Sequence, residues 1–377
     1  MAKQLVVYYV PEHEQHQPKT HAVVGRQDNV IGSDFGHAEC ASRLPTILAT
    51  LKESYSDLNL ILSTRKATHD ELRLCHTQEL IEFLEGAWER LLKQTTMKDV
   101  IEVVPGTFSN YVTLHSVVKP KGNVLWESGC FCFDTSTPVG EFTYKCALQA
   151  AAASVDAANQ LELTPDNSHV IYALLRPPGH HASQKFYGGF CYFNNAAISA
   201  QILLNRLQAS NNYAHPRVAI IDLDYHHGNG TQDIFYETDQ IVYFSTHASP
   251  EWDYPFFSGL ASETGSGKGE GYNFNYPMPP EATYEKHYLP AIFDIIEKLK
   301  TPRYESQVIV VSLGFDALQD DPIGSFNLLP ENFGHFGELI ASLNLPTLVV
   351  QEGGYNPDRS KLANSASLFL SSFLKKK

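Results

Sequence analysis

Six continuous apolar runs rich in β-branched residues punctuate this chain: LVVYYV at 5–10, HVIYALL at 169–175, RVAIIDLD at 217–224, QIVYFST at 240–246, QVIVVSLG at 307–314 and PTLVVQ at 346–351. A strand with one wet face alternates apolar and polar residues, so runs without that alternation fit a sheet buried on both faces. Between them lie helical stretches: the alanine-rich 143–162, the amphipathic 194–209, and 283–300, which ends before Pro302. Strands alternating with helices predict an α/β architecture, a parallel sheet covered by helices. No repeat, low-complexity tract or linker divides the chain, and the Gly/Pro-rich stretch 259–280 falls between strands, so residues 1–377 read as a single domain.

In such sheets ligands gather beyond the carboxyl ends of the strands. The segments that follow the strand ends are RPPGHH (176–181), DYHHGNG (224–230), THASP (246–250), FDALQDDP (315–322) and EGGY (352–355). Asp222, Asp224 and His226 are spaced by two, which turns them to one side if the strand persists that far. A catalytic zinc wants three protein ligands and an open position. Asp224 and His226 supply two, and Asp316, just past the strand at 307–314, supplies a third. Asp-x-His alone is equally a hydrogen-bonded pair capping the next helix; the density of carboxylates, costly to bury without a cation, favours the metal. The same donor set suits Fe2+, Co2+ or Mn2+. His180 and His181 follow a rigid Pro-Pro-Gly turn on the same edge, and imidazoles placed there suit the proton transfers that amide hydrolysis needs.

Charge and cysteine usage narrow the partners. The formal net charge is -14 and the basic residues form no long patch, which argues against nucleic acid and for cationic substrates. Cys40, Cys75, Cys130, Cys132, Cys146 and Cys191 show no repeated spacing and read as reduced thiols rather than a disulfide framework or zinc knuckles. The apolar run at the N-terminus is too short for a signal core or a spanning helix, so a cytoplasmic protein with no membrane partner is expected.

RPPGHHASQKFYGGFCYFNNAA (176–197), IDLDYHHGNGTQDIFYE (221–237), SLGFDALQDDPIG (312–324) and EGGYN (352–356) resemble, in this order, the histone deacetylase superfamily, particularly its class II and acetylpolyamine amidohydrolase branches. The segment at 254–278 is most similar to acetylpolyamine amidohydrolases and bacterial deacetylase-like members. The resemblance implies an arginase–deacetylase fold with a parallel sheet of about eight strands and helices on both faces. It implies Zn2+ on Asp224, His226 and Asp316, tandem acid–base residues His180 and His181, and Tyr355 polarising an acetyl carbonyl. Asp222 matches the carboxylate behind the first histidine; Asn229 stands behind the second, where class I enzymes carry aspartate. Gly189 and Phe190 match one wall of a substrate tunnel, Tyr254 the facing aromatic, and Asp134 a rim acid that orients substrate. A structural K+ would take main-chain oxygens of Asp222, Asp224 and His226 together with Ser245. Arg43 falls near an inner cavity.

The implied activity is removal of acetyl or short acyl groups from acetyl-lysine peptides or acetylpolyamines. Acetylpolyamine enzymes carry an acid in the first long loop where this chain reads Lys19-Thr20-His21, so the sequence leans toward acetyl-lysine. The alternatives are an arginase-like ureohydrolase, which would hold two metals, and a non-catalytic acyl-lysine binder, which would have lost a ligand or the tyrosine. A homo-oligomer stays open.

Overall fold

The computed structural model describes residues 4–19, 37–94, 102–108, 122–164 and 170–374. Eight parallel strands form one sheet: β1 (Val6–Tyr9), β2 (Asn59–Leu62), β3 (Val170–Leu174), β4 (Val218–Asp222), β5 (Ile241–Ala248), β6 (Asn273–Met278), β7 (Val308–Leu313) and β8 (Thr347–Gln351). Their order is β2-β1-β3-β8-β7-β4-β5-β6. Each of the six apolar runs became a strand, and every residue of β3, β4, β5, β7 and β8 is buried, as unbroken apolar patterning requires.

The two strands absent from the sequence reading are the edges. β2 (NLIL) is only half covered, and β6 (NFNYPM) carries two asparagines and a proline. Pro277 is tolerated because β6 pairs only with β5, so its missing amide breaks no second ladder.

Alternate residues of each strand feed two separate cores. Ile171 and Ala173 face one side of the sheet with the helices Thr143–Gln160 and Asn195–Ser210. Val170, Tyr172 and Leu174 face the other, under Arg43–Ser54, Leu289–Leu299, Pro330–Ala341 and Arg359–Leu374. The stretch read as one helix over 283–300 opens with a π-helical turn, Tyr284–Tyr288, and becomes α-helical at Leu289, with Pro290 in the first turn, where its missing amide costs nothing. All six cysteines are free, and no helix among the described residues is long and apolar enough to cross a membrane.

This order sets β3, β8, β7 and β4 side by side at the centre. Their carboxyl ends carry RPPGHH, EGGY, FDALQDDP and DYHHGNG, so four segments far apart in sequence meet on one edge.

Ala150 to Ala153 have no exposed surface, because the helix Thr143–Gln160 lies close against both the sheet and its helical neighbour. Ala153→Leu should therefore cost about 1–3 kcal/mol of stability by overpacking, whereas the solvent-facing Asn159→Leu should stay within about 0.5 kcal/mol. Urea denaturation of the two variants checks this; equal midpoints would mean the alanine face has slack.

Candidate functional site

β4 stops at Asp222, so the pleat of a strand does not carry Asp224 and His226 to a common side as the spacing suggested. Turns do it instead. The Asp222 carboxylate accepts the Asp224 N–H at 3.2 Å, and the Asp224 carboxylate accepts the His226 N–H at 3.0 Å. Beyond β7, Asp316 accepts the Tyr225 N–H at 2.9 Å and is thereby drawn to the same spot. Ligand atoms of Asp224, His226 and Asp316 lie within 4.8 Å of one another. His226 Nδ1 is 3.0 Å from Asp316 Oδ2 and 3.4 Å from Asp224 Oδ1.

The neighbouring backbone is shaped around these carboxylates. A Cβ on Gly314 would sit 1.9 Å from Asp224 Oδ2, and one on Gly353 2.5 Å from Asp316 Oδ2. The Gly353 N–H donates to Asp224 Oδ2 at 2.8 Å. Burial pushes Asp316 up to about 6, with Asp224 pushing the same way. Burial opposes charge on His226 too, yet Asp224 and Asp316 hold its imidazole well above the ordinary value. His226 Nδ1 and the carboxylate oxygens of Asp224 and Asp316 thus present three ligand atoms that could all face a cation. Two carboxylates and one imidazole, converging and buried, fit a divalent ion such as zinc. A second grouping, His180, Cys191 and Glu352, is different: Glu352 Oε2 is already bonded by the N–H groups of Gly179 (2.7 Å) and His180 (3.2 Å), and Oε1 by Ser312 (3.2 Å).

The tandem histidines stand beside the triad with unlike partners. His180 Nδ1 is 3.1 Å from Asp222 Oδ2, which also accepts the Tyr243 hydroxyl at 2.9 Å. Gly228 lies flush against this pair, since a Cβ there would come within 2.3 Å of the same carboxylate oxygen. His181 Nδ1 is 2.7 Å from the Asn229 side-chain oxygen. Burial disfavours charge on both rings, but Asp224 and Asp222 raise His180 to about 10. His181 has no carboxylate partner, and burial together with charged His180 and His226 keeps it well below the imidazole range. A dication among the ligands would offset Asp224 and relax His180 toward neutrality.

Several supporting residues escaped the sequence reading. Glu352 was in a quoted motif, yet its role, fixing the backbone of Gly179 and His180, required knowing that β8 lies beside β3. Asp321 accepts the Tyr355 N–H at 2.6 Å. Arg43, expected near an inner cavity, is buried with its guanidinium 4.6 Å over the Tyr355 ring, donating to the carbonyls of Gly354 (2.7 Å) and Glu352 (2.5 Å). Glu39, held at about 2 despite burial by Arg176 and His16 and then Arg43, completes that charge balance.

A cleft of about 380 Å³ opens over the site, and Asp134, Gly189, Phe190, Tyr254, His180, His181 and Tyr355 all line it. Among the described residues its walls contain no lysine or arginine, and Phe256 and Phe257 stand exposed at its edge. Ser245 lies opposite Asp222 in the β4–β5 register, with its hydroxyl 2.8 Å from His247 Nδ1. Thr20 and His21 lie outside the described residues.

The family model described as "Histone deacetylase domain" matches residues 37–372. Acetylpolyamine amidohydrolase 1 of Pseudomonas aeruginosa is 34% identical over 347 residues, 92% of this chain and 93% of that protein. Histone deacetylase HDA1 of Saccharomyces cerevisiae is 31% identical over 309 residues, 81% of this chain but 38% of its own length. The crystal structure of the acetylpolyamine aminohydrolase from Burkholderia pseudomallei superposes with a TM-score of 0.80 at 32% identity, covering 98% of each chain.

Asp316→Asn removes one of three ligands and a negative charge. Zinc affinity should fall by more than about 100-fold, the upper end of what losing only a second-layer partner costs. Competition against a fluorescent chelator measures it; unchanged affinity would place the ion elsewhere.

Proposed function

The chain belongs to the histone deacetylase family and is a hydrolase of amide bonds, and from that premise we propose that it removes acetyl groups from acetylated polyamines with one divalent ion, zinc by preference, on Asp224, His226 and Asp316. The observation that carries this reading is the buried triad beside His180 and His181 at one cleft, with Tyr355 in the cleft wall. A bound ion would polarise the acetyl carbonyl and lower the pKa of a water beside it.

The protein's own groups do the rest. Asn229 offers its oxygen to His181 Nδ1, so that nitrogen carries the proton and Nε2 keeps a lone pair. His181 is therefore the base that takes the proton of the attacking water. His180, fixed by Asp222 at Nδ1, lines the cleft beside His181 and stabilises the charge that develops as the carbonyl oxygen becomes anionic. The Tyr355 hydroxyl donates to that oxygen, a contribution of about 3–4 kcal/mol for one well-placed donor. As the C–N bond breaks, His181 returns its proton to the departing amine, and acetate and the free amine are the products.

The relatives and the cleft together favour polyamines. The match to a protein named acetylpolyamine amidohydrolase runs through nearly the full length of both chains, whereas the yeast deacetylase shares less than half of its own. A cleft whose described walls carry Asp134 and Asp253 but no lysine or arginine suits a substrate bearing free ammonium groups. This proposal departs from the lean toward acetyl-lysine, which rested on Lys19-Thr20-His21 standing where acetylpolyamine enzymes carry an acid. A two-metal ureohydrolase is disfavoured because the second grouping near the site has its carboxylate already engaged. The proposal includes a K+ beside Ser245 and the main-chain oxygens of Asp222, Asp224 and His226, and a cytoplasmic setting.

Acetylputrescine or acetylspermidine should exceed an acetyl-lysine peptide in kcat/KM by more than about 10-fold, or ~1.4 kcal/mol. A peptide advantage on the same preparation would overturn the polyamine assignment. The pH profile tests the base. With its pKa depressed, His181 stays unprotonated below the ordinary imidazole value of about 6.5, so the acid limb of kcat/KM should lie lower still. In Asn229→Asp, a carboxylate favours the imidazolium, and the limb should move to higher pH by about one unit or more. A limb that does not move would remove His181 from that role.

A further inference from the structure

The expected rim acid, Asp134, spends most of its hydrogen-bonding capacity inside the protein. Its Oδ1 accepts the Ser136 N–H at 2.9 Å. Its Oδ2 accepts the Gly189 N–H at 2.6 Å, the Tyr254 hydroxyl at 2.9 Å and the Thr137 hydroxyl at 3.3 Å. Each carboxylate oxygen has about two acceptor positions, so Oδ2 is fully engaged by its three donors, while Oδ1 keeps one position beside the Ser136 amide, which the Cys132 thiol approaches at 3.9 Å. Thr137 extends the arrangement, its own oxygen accepting the Phe190 N–H at 2.9 Å.

What these donors belong to matters more than their number. Gly189 and Phe190 are consecutive left-handed residues, with φ of 57° and 67°. That conformation is unfavourable for phenylalanine and has to be held by its surroundings. Asp134 and Thr137 hold it through the two amides. Gly189 cannot be otherwise: a Cβ there would meet the His181 ring at 2.2 Å. Tyr254 arrives from the loop after β5 and sets its ring edge-on to the same histidine, 5.1 Å between centroids. One carboxylate therefore bonds both the Gly189–Phe190 wall and the Tyr254 wall, and both walls rest on His181.

We infer that Asp134 is a positioning residue that clamps the two cleft walls together and so sets the width of the stem admitted, excluding amines branched beside the acylated nitrogen. The inference rests on the reading of the cleft as a site for an acylated amine. It differs from a rim contact in its consequence: a rim contact changes how strongly one charged substrate binds, while a clamp changes which shapes are discriminated.

The test uses the metal-loaded full chain and two substrates, an acetylated linear diamine and the same diamine methylated on the carbon next to the acylated nitrogen. The ratio of their kcat/KM values is the readout. Asp134→Asn keeps size and removes charge, and should shrink the wild-type preference for the linear substrate by about 10-fold or more. Tyr254→Phe removes one of the clamp's bonds and should shrink it less; the double variant should shrink it no further than Asp134→Asn, because the two changes break a shared interaction. Thr137→Val, which leaves the carboxylate in place, should move the ratio in the same direction. Hydrogen exchange over residues 187–193, which needs no activity, should quicken in Asp134→Asn. An unchanged ratio with a raised KM for both substrates would make Asp134 a substrate contact and overturn the clamp, as would additive effects in the double variant or unchanged exchange. If wild-type protein hydrolyses neither amide, the functional reading falls, and the exchange result still decides the clamp.

Discussion

Asp222, Asp224, Asp316 and Glu352 stand without solvent exposure at the carboxyl edge of one parallel sheet, and most of the surrounding structure answers that concentration of negative charge. Each ionised carboxylate removed from water costs several kcal/mol unless it is paired and hydrogen-bonded. Glu352 is met by two amides and the Ser312 hydroxyl, and Asp222 by His180 and Tyr243. Asp224 and Asp316 are met less fully. Asp224 takes the N–H groups of His226 and Gly353 and has His180 Nε2 3.7 Å away, Asp316 takes one N–H, from Tyr225, and the two carboxylates share the imidazole of His226. That arrangement fits a cation, and side chains at Gly314 and Gly353 would occupy the space of the carboxylates.

The same charges divide labour between two adjacent histidines. They follow one another in sequence and their ring centroids are 4.0 Å apart, yet one faces aspartate and the other asparagine. A carboxylate partner stabilises imidazolium and an amide partner does not, so one ring is suited to holding charge and the other to exchanging a proton. Tyr355 is positioned by a separate layer, Asp321 at its amide and Arg43 over its ring.

Much of this was legible in the sequence because it depends on local pattern. Buried strands announce themselves as unbroken apolar runs, and a parallel sheet gathers whatever follows its strands on one edge, so Asp224, His226, Asp316, His180 and His181 could be brought together from strand ends alone. The edge strands were hidden because an edge need not be apolar: β2 is half covered and β6 contains Asn273, Asn275 and Pro277. The way the ligands converge was also misjudged. Period-two spacing pointed to a strand, but β4 ends at Asp222 and side-chain-to-backbone bonds complete the geometry. Glu352, Asp321 and the four-bonded Asp134 were illegible for a third reason, since their roles are defined by partners that only the tertiary fold supplies.

The central claim is that Asp224, His226 and Asp316 together hold one divalent ion on which amide hydrolysis depends. Calorimetric titration of chelator-treated protein with zinc, near neutral pH in buffers of differing ionisation enthalpy, measures ion stoichiometry and proton release together. The account predicts one ion per chain, proton release on binding, and amide hydrolysis that rises in step with occupancy. Two ions per chain, binding with no proton released, or full hydrolysis before any zinc is added would contradict it.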